Sequence, residues 1–144
     1  MMPHRHQPPR LAHVFVYGTL RRGGSNDIAR YRPAPRFVGE AFIAATLHDL
    51  GRYPGAVLGG DARLRGEVYR ITPAVEAALD LLEDVRADGT GEYLRRELGV
   101  DVGGVRLQCL VYELHPDRVA GRPVIASGDW FEAPGARCDF IRRN

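Results

Sequence analysis

The sequence predicts an α+β domain built on a small, mostly antiparallel or mixed β-barrel with one main helix and short flanking helices. Three observations support this fold class. Several segments alternate polar and apolar residues like half-exposed strands, a single segment carries a helical apolar stripe, and 17 glycines punctuate the chain. Many short strands with few helices are typical of a strongly curved, mostly antiparallel sheet.

The composition is that of one globular domain. A chain of 144 residues with 44% hydrophobic content can bury a core, and it contains no apolar run that could span a membrane. Residues 1–12 contain three prolines and lack the apolar stretch of a secretory signal. We therefore expect a mobile tail, one domain over residues 13–144 and a cytoplasmic location.

Charge, cysteine and histidine content exclude several classes of function. The net charge is +2 with opposite charges interleaved, which does not indicate a nucleic-acid partner, and the absence of lysine excludes Schiff-base chemistry. Cys109 and Cys138 form no Cys-x-x-Cys motif, so two thiols are expected rather than a disulfide. His4 and His6 lie in the tail without a defined coordination geometry. We expect no metal and no organic cofactor.

The first predicted strand covers residues 14–17 and ends at Gly18, where the sequence turns polar. Gly18 supplies dihedral freedom, and a turn after a strand can aim backbone N–H groups at an anion. Two interpretations stay open, an anion-binding turn and an ordinary strand-to-loop connection. Arg21 in the basic loop that follows is either a partner for a substrate carboxylate or an exposed arginine without a special role.

Three further strands are predicted before the helix. Residues 37–47 mix apolar and small side chains, and residues 49–55 predict a tight turn in which Tyr53 can face a neighbouring cleft. Residues 56–59 and 64–71 are expected to form two separate strands, the second with clear polar and apolar alternation.

The helical pattern begins at Thr72-Pro73. Threonine caps the free N–H groups at a helix start and proline suits the first helical position, so we expect a helix to about Val85. Its apolar stripe has the 3.6-residue spacing of a helix with one buried face. Glu83 lies one turn after Leu79, at the apolar boundary, where its carboxylate can reach a cleft.

A hairpin and an irregular segment complete the domain. A loop at residues 86–91 precedes predicted strands at 93–102 and 105–114, joined by Gly103-Gly104. The chain after this hairpin is irregular, and Trp130 is expected in the core or as a cover of the sheet.

Five short motifs follow the order seen in one known protein family. They are Val16-Tyr17-Gly18-Thr19-Leu20-Arg21, Gly51-Arg52-Tyr53-Pro54-Gly55, Leu79-Asp80-Leu81-Leu82-Glu83, Tyr93-Leu94-Arg95 and Ser127-Gly128-Asp129-Trp130. Each motif is weak alone, but their common order is specific. On these motifs the chain resembles the γ-glutamylcyclotransferase-like (AIG2-like) family, which includes γ-glutamylamine cyclotransferases.

The resemblance implies a fold, a reaction and a set of site residues. The fold is a small barrel with helices, and a loop at Tyr17, Gly18, Thr19 and Leu20 holds the substrate. The reaction is intramolecular: the α-amine of a γ-glutamyl group attacks its own side-chain carbonyl, forming 5-oxoproline and releasing an amine or amino acid. The catalytic glutamate of the family corresponds to Glu83.

The residue types suit this reaction. An α-ammonium must lose a proton before its nitrogen can attack, and a nearby carboxylate can accept that proton. Removing Glu83 partly from water would raise its pKa from about 4.3 towards neutrality and improve it as a base. The alternative is a solvated acidic stripe that Glu83 shares with Glu76 and Asp80, and the resemblance favours the catalytic role.

Three features qualify the implied site. Tyr53 and Tyr93 are assigned as substrate contacts, with structural packing of each ring as an equal alternative. Family members often carry glycine after the catalytic glutamate, whereas this chain has Asp84, whose charge either raises the pKa of Glu83 or faces solvent. The loop at residues 86–92 is also somewhat long, which bears on the size of the substrate.

Two other functional classes compete with the enzyme. One is a non-catalytic binding module for a small acidic metabolite or a peptide end, which would bind a γ-glutamyl ligand without turning it over. The other is a nucleic-acid-binding β-barrel, suggested only by the abundance of arginine and lacking aromatic residues clustered with the arginines for stacking. We therefore expect a small-molecule γ-glutamyl substrate, and neither nucleic acid nor membrane as a partner.

Overall fold

The computed structural model describes residues 12–86 and 88–133. The strands are β1 (Ala12–Val16), β2 (Arg36–Asp49), β3 (Pro54–Ile71), β4 (Tyr93–Val102) and β5 (Val105–Leu114), and the helix is α1 (Pro73–Leu82). Short 3₁₀ turns lie at Ile28–Arg30, Pro116–Arg118 and Trp130–Glu132. Of the predicted tail, residues 1–11 lie outside the described residues and Ala12 belongs to β1.

The five strands form one mixed sheet in the order β2-β3-β1-β5-β4. β1 runs parallel to β5, and every other neighbouring pair is antiparallel. Val14 and Val16 are buried on one face of the sheet and Phe15 on the other, which explains why an unbroken apolar run forms the central strand. The predicted mixed sheet with one main helix is confirmed.

The two faces of the sheet carry separate cores. One core contains Phe15, Leu64 and Trp130, so the expectation of a buried tryptophan is confirmed. The second core lies under α1, which contributes Val75 and Leu79 from its apolar stripe. The helix is thereby packed onto the sheet beside the end of β1.

The sheet is strongly curved, and its two edge strands approach each other. A Cβ atom on Gly39 of β2 would lie 2.7 Å from Val102 Cγ1 of β4, so this approach depends on the missing side chain. Within the described ranges, however, β2 and β4 are not paired by backbone hydrogen bonds. The predicted closure into a barrel is therefore not confirmed.

The two strands predicted just before the helix are one continuous strand, β3. A register shift opposite Ala44 and Ala45 leaves residues 59–62 of β3 outside the ladder with β2. Gly59 and Gly60 have positive φ there, and the extra residues form a bulge. The prediction of two separate strands is wrong. The alternating pattern stops at these glycines, but the glycines only bend the strand, which continues through them.

The predicted hairpin is confirmed at its boundaries. Gly103 and Gly104 have φ values of 56° and 84°, the left-handed conformation that a two-residue type I′ turn requires at both positions. β4 and β5 remain paired along their full length from this turn.

The helix starts where predicted and ends earlier. The Thr72 hydroxyl accepts a hydrogen bond from the Val75 N–H at 3.3 Å, which caps the helix start. The last helical residue is Leu82 rather than Val85, because Asp84 turns into the left-handed region with φ of 54°. In the described part of the chain, no helix has the length and apolar character needed to cross a membrane.

Candidate active site

A cavity of about 200 Å³ lies where the end of β1, the start of β3, the end of α1 and the start of β4 meet. All seven predicted site residues line it: Tyr17, Gly18, Thr19, Leu20, Tyr53, Glu83 and Tyr93. The cavity is also lined by residues that were not predicted as site residues: Phe15, Val16, Asn26, Pro54, Leu82, Glu92 and Tyr112. The fold thus brings residues of four separate motifs to one cavity.

The segment after β1 has its carbonyl oxygens bonded and its N–H groups free. The carbonyl oxygens of Gly18, Thr19 and Leu20 accept hydrogen bonds from the N–H groups of Arg21, Asn26 and Ile28 at 3.0, 2.9 and 3.0 Å. Among the described residues, the N–H groups of Gly18, Thr19 and Leu20 donate to no protein acceptor. This cavity wall therefore carries three unused backbone donors, the kind of group that binds anions.

Gly18 is required by close packing. A Cβ atom at this position would lie 2.6 Å from Cγ of Pro54, at the start of β3. The sequence suggested dihedral freedom as the reason for glycine, but Gly18 is not among the glycines with positive φ. The missing side chain instead lets the loop lie against β3.

Tyr17 and Tyr93 line the cavity with buried rings whose hydroxyls are already bonded. The Tyr17 hydroxyl donates to the Tyr112 carbonyl at 2.7 Å and accepts from the Ala56 N–H at 3.0 Å, while the Tyr93 hydroxyl donates to the Pro54 carbonyl at 2.6 Å. Burial raises the pKa of both phenols above their usual value, so both stay neutral. These two tyrosines tie the cavity walls together.

Tyr53 differs from these two residues because it is 38% exposed and bonded to an acid. Its hydroxyl donates to Glu92 Oε2 at 2.7 Å, and this hydrogen bond and burial raise its pKa. The Glu92 N–H in turn donates to Asp84 Oδ2 at 3.2 Å. The pair of Tyr53 and Glu92 thus forms a rim of the cavity.

Glu83 is partly buried at the end of α1. Loss of water around the carboxyl, and then the negative charge of Glu92, raise the pKa of Glu83 to about 7. The Asp84 carboxylate is 43% exposed and accepts a hydrogen bond from Arg86 Nε at 3.2 Å. A group with this pKa can both accept and donate a proton near neutral pH.

The end of α1 holds Glu83 in place through a Schellman motif. The Val85 N–H bonds to the Asp80 carbonyl at 3.0 Å and the Asp84 N–H to the Leu81 carbonyl at 3.2 Å. The left-handed conformation of Asp84 explains why glycine, which adopts it without strain, suits this position. Glu83 is therefore the C-cap residue of the helix.

The other two acids of the predicted stripe have different surroundings. Asp80 and Glu76 pair with Arg95, and the closest contacts to its guanidinium are 2.6 and 2.7 Å respectively. The Tyr112 hydroxyl also donates to Asp80 Oδ1 at 2.6 Å. A solvated acidic stripe that includes Glu83 is therefore not formed, and α1 is fixed to β4 and β5 by ion pairs and hydrogen bonds.

Arg21 is neither a substrate partner nor an exposed arginine. It is 4% exposed, with Nε 3.2 Å from Glu67 and one terminal nitrogen 2.8 Å from Asp129. The backbone N–H of Arg22 donates to the same Glu67 at 2.8 Å. These contacts engage the Arg21 guanidinium with buried carboxylates and anchor the loop behind the cavity.

Neither a metal cluster nor a reactive thiol is present in the described ranges. No group of three or more histidine, cysteine or acidic side chains there could hold a metal ion. Cys109 is buried, which raises its pKa to about 11 and keeps the thiol protonated. Cys138, His4 and His6 lie outside the described residues.

Glu92 is the acidic site residue that the sequence analysis missed. It directly precedes β4 in a loop without periodicity, so no local pattern distinguishes it from a surface acid. Its place in the cavity depends on contacts with Tyr53 and Asp84, which are distant from each other in the sequence.

The chain resembles proteins with a common family description. Residues 14–132 match the family model described as "Gamma-glutamyl cyclotransferase, AIG2-like". The chain is 38% identical over 120 residues to the γ-glutamylcyclotransferase family protein YtfP of Escherichia coli, which covers 83% of this chain and 96% of that protein. It is 33% identical over 117 residues to the γ-glutamylaminecyclotransferase of Bos taurus, covering 72% of this chain and 66% of that protein.

A solved structure agrees with these sequence matches. An AIG2-like protein from Mus musculus has a TM-score of 0.65 to this fold at 28% identity, covering 87% of this chain and 92% of that chain. The sequence match extends from β1 to the last 3₁₀ turn and so includes every element that lines the cavity. The chain therefore belongs to the AIG2-like γ-glutamylcyclotransferase family.

Proposed function

We propose that this protein cyclises a γ-glutamyl group to 5-oxoproline and releases the attached amine or amino acid. The observation that carries the proposal is a carboxyl group with a pKa of about 7, Glu83, in a small cavity that is also lined by three residues whose N–H groups have no acceptor among the described residues. A family member with this arrangement has a base, an anion-binding wall and a confined volume in one place.

Glu83 acts as the acid and base of the reaction. Its ionised carboxylate takes a proton from the α-ammonium, and the α-nitrogen then forms a bond to the γ-carbonyl carbon. When the original amide C–N bond breaks, Glu83 returns the proton to the departing nitrogen. The α-nitrogen loses a second proton as the lactam forms, and Glu83 accepts this proton too and passes it to the released amine. The amine therefore leaves as an ammonium ion with both protons, and the enzyme is unchanged.

Tyr17, Gly18, Thr19 and Leu20 form the wall that holds the substrate. Their segment supports this role because its free N–H groups suit the α-carboxylate of the γ-glutamyl group or the oxyanion that develops at the γ-carbonyl. Tyr93 and Tyr53 also line the cavity and limit the space open to the substrate. Because nucleophile and electrophile belong to one molecule, ring closure itself requires neither metal nor organic cofactor.

The volume and charge of the cavity agree with this substrate. A space of about 200 Å³ is smaller than the roughly 300–1,000 Å³ of pockets that take drug-sized ligands, and it suits a group the size of one amino acid. Glu83 and Glu92 both line this space, so an α-ammonium would meet two carboxylates there.

The test is the release of 5-oxoproline from a panel of γ-glutamyl amines and γ-glutamyl amino acids. The wild type should form product, and Glu83→Gln should lower kcat/KM by roughly 10²- to 10⁴-fold, the usual contribution of a general acid or base. Glu97→Gln removes an exposed acid on β4 and serves as the matched control with unchanged turnover.

Full turnover by Glu83→Gln would overturn the assignment of the acid and base. Saturable binding of the γ-glutamyl compounds to the wild type without any product would instead favour the non-catalytic binding module.

A further inference from the structure

A second depression adjoins the candidate active site. It has a volume of about 430 Å³, and its walls come from the chain after β5 (Asp117, Arg118, Ala120, Gly121 and Arg122) and from Leu50. Glu92 lines both this groove and the catalytic cavity. The groove and the cavity are therefore neighbours that meet at Glu92.

The wall of this groove is attached to the sheet by backbone contacts. The Asp49 N–H donates to the Pro123 carbonyl at 2.8 Å, and the Arg122 N–H donates to the Val119 carbonyl at 3.0 Å. The His48 ring lies 3.3 Å from the Arg122 carbonyl through Nδ1. Arg118 and Arg122 are thus carried by a backbone that is fixed against the end of β2.

Within the described ranges, no protein group neutralises the charges of Arg118 and Arg122. Among the described residues, neither Arg118 nor Arg122 has a carboxylate within the 4 Å of an ion pair. Asp117 has a 90% exposed side chain that lies 3.7 Å from His115. The charges of Arg122 and Arg118 nevertheless reach the cavity rim, where they oppose the rise in the pKa of Tyr53.

We propose that this groove binds the group released by the reaction and that Arg118 and Arg122 select a released group bearing a carboxylate. The inference rests on the proposed function and narrows its substrates to γ-glutamyl amino acids or peptides. The γ-glutamyl part fills the small cavity, so whatever is attached to the γ-carbonyl must extend past the rim. Two guanidinium groups that have no carboxylate partner among the described residues suit a carboxylate ligand, because charged hydrogen bonds between these groups are strong and directional.

The acids at the groove define the competing possibility. Glu92 and Asp117 would attract a cationic released group, such as a diamine with a free ammonium. Glu92, however, already accepts the Tyr53 hydroxyl at 2.7 Å, and Asp117 points to solvent beside His115. In the described part of the chain, Arg118 and Arg122 are the charged groups of the groove that have no ion-pair or hydrogen-bond partner for their side chains. We therefore expect the groove to prefer a released group with a carboxylate over one with an ammonium.

The test compares two substrates that differ by one carboxylate, γ-glutamyl-alanine and γ-glutamyl-ethylamide. The wild type should turn over γ-glutamyl-alanine with a kcat/KM roughly tenfold higher, since one exposed charge-assisted interaction changes an equilibrium by about that factor. The double variant Arg118→Gln/Arg122→Gln should lose this preference through a higher KM for γ-glutamyl-alanine, with γ-glutamyl-ethylamide unaffected. Arg106→Gln at the far end of β5 is the control and should keep the preference.

Each outcome bears on one of the two proposals. Equal kcat/KM for both substrates, or equal losses on both in the double variant, would overturn the carboxylate preference and leave the proposed function standing. Faster release of ethylenediamine from its γ-glutamyl derivative than of alanine would identify a cation-selective groove instead. Failure of the wild type to form 5-oxoproline from any of these compounds would overturn the proposed function itself.

Discussion

At the scale of single residues, the environment of Glu83 decides what its carboxyl group can do. On a solvated helix face a glutamate keeps an ordinary pKa, whereas burial and the neighbouring Glu92 raise the pKa of Glu83 to about 7. The resemblance to a family identified this residue from the sequence. Its burial was not readable, because helical spacing places Glu83 at the boundary of the apolar stripe and does not show what covers it.

The raised pKa predicts a stability cost that depends on pH. The folded protein holds the Glu83 proton up to about pH 7, while the unfolded chain releases it near pH 4.5. The free energy of unfolding therefore falls as the pH rises from about 4.5 to about 7. Glu83→Gln cannot ionise and should be more stable than wild type by about 3 kcal/mol at pH 8.5, with a much smaller difference near pH 5. Thermal unfolding at both pH values measures this, and an equal Tm difference at both would contradict it.

The charge of Glu92 predicts a shift in the pH dependence of catalysis. If ionised Glu83 is the base, kcat/KM should rise with pH to a plateau and reach half of its maximum at a pH near 7. Glu92→Gln removes a negative charge that disfavours ionisation of Glu83, so the half-point should move to lower pH. Profiles of 5-oxoproline release against pH, with Glu97→Gln as the control, measure the shift. An unchanged half-point in Glu92→Gln would show that Glu92 does not act on Glu83.

At the scale of elements, the last turn of α1 determines where Glu83, the proposed acid and base, lies. The helix ends because Asp84 adopts a left-handed conformation, and the pattern of the sequence predicted three further residues of helix. Aspartate does not by itself predict the end of a helix. The glycine that is common at this position in the family would predict it, because glycine is the usual left-handed residue after a helix. By contrast, Thr72-Pro73 and Gly103-Gly104 were readable because their residue types suit one local geometry each.

The left-handed residue predicts a difference between two small substitutions. Asp84→Ala loses the hydrogen bond to the Glu92 N–H and keeps the strain of a side chain at φ of 54°, whereas Asp84→Gly loses the same hydrogen bond but relieves the strain. The glycine variant should be more stable than the alanine variant by about 1 kcal/mol. Urea unfolding of the two variants measures the difference, and equal midpoints would argue against a strained helix end.

At the scale of the whole molecule, a buried ion cluster joins three distant parts of the chain. Arg21 follows the proposed substrate loop, Glu67 lies on β3, and Asp129 precedes the last 3₁₀ turn. The Tyr69 hydroxyl also donates to Glu67 at 2.9 Å, and the Arg21 guanidinium stacks on Phe131 at 4.2 Å. The charges in the cluster are satisfied only when all three segments are in their native positions.

This cluster predicts a large effect from a nearly isosteric change. Asp129→Asn removes one of the two negative charges that Arg21 contacts and should lower the free energy of unfolding by about 3 kcal/mol. Asp101→Asn weakens an exposed pair with Arg106 and should cost less than about 1 kcal/mol. Urea unfolding of both variants provides the comparison. Similar small losses in the two would mean that the buried cluster contributes no more than a surface pair.

The sequence by itself determined the mixed α+β class, the helix start, the hairpin and the motifs that mark the family, because each depends on residues adjacent in the chain or on their order. The tertiary structure decided the burial of Glu83, the entry of Glu92 into the cavity and the pairing of Arg21 with Asp129, which lies 108 residues away. The physical reason is that pKa, burial and ion pairing depend on neighbours in space. Folding supplies these neighbours from segments whose local patterns do not reveal each other.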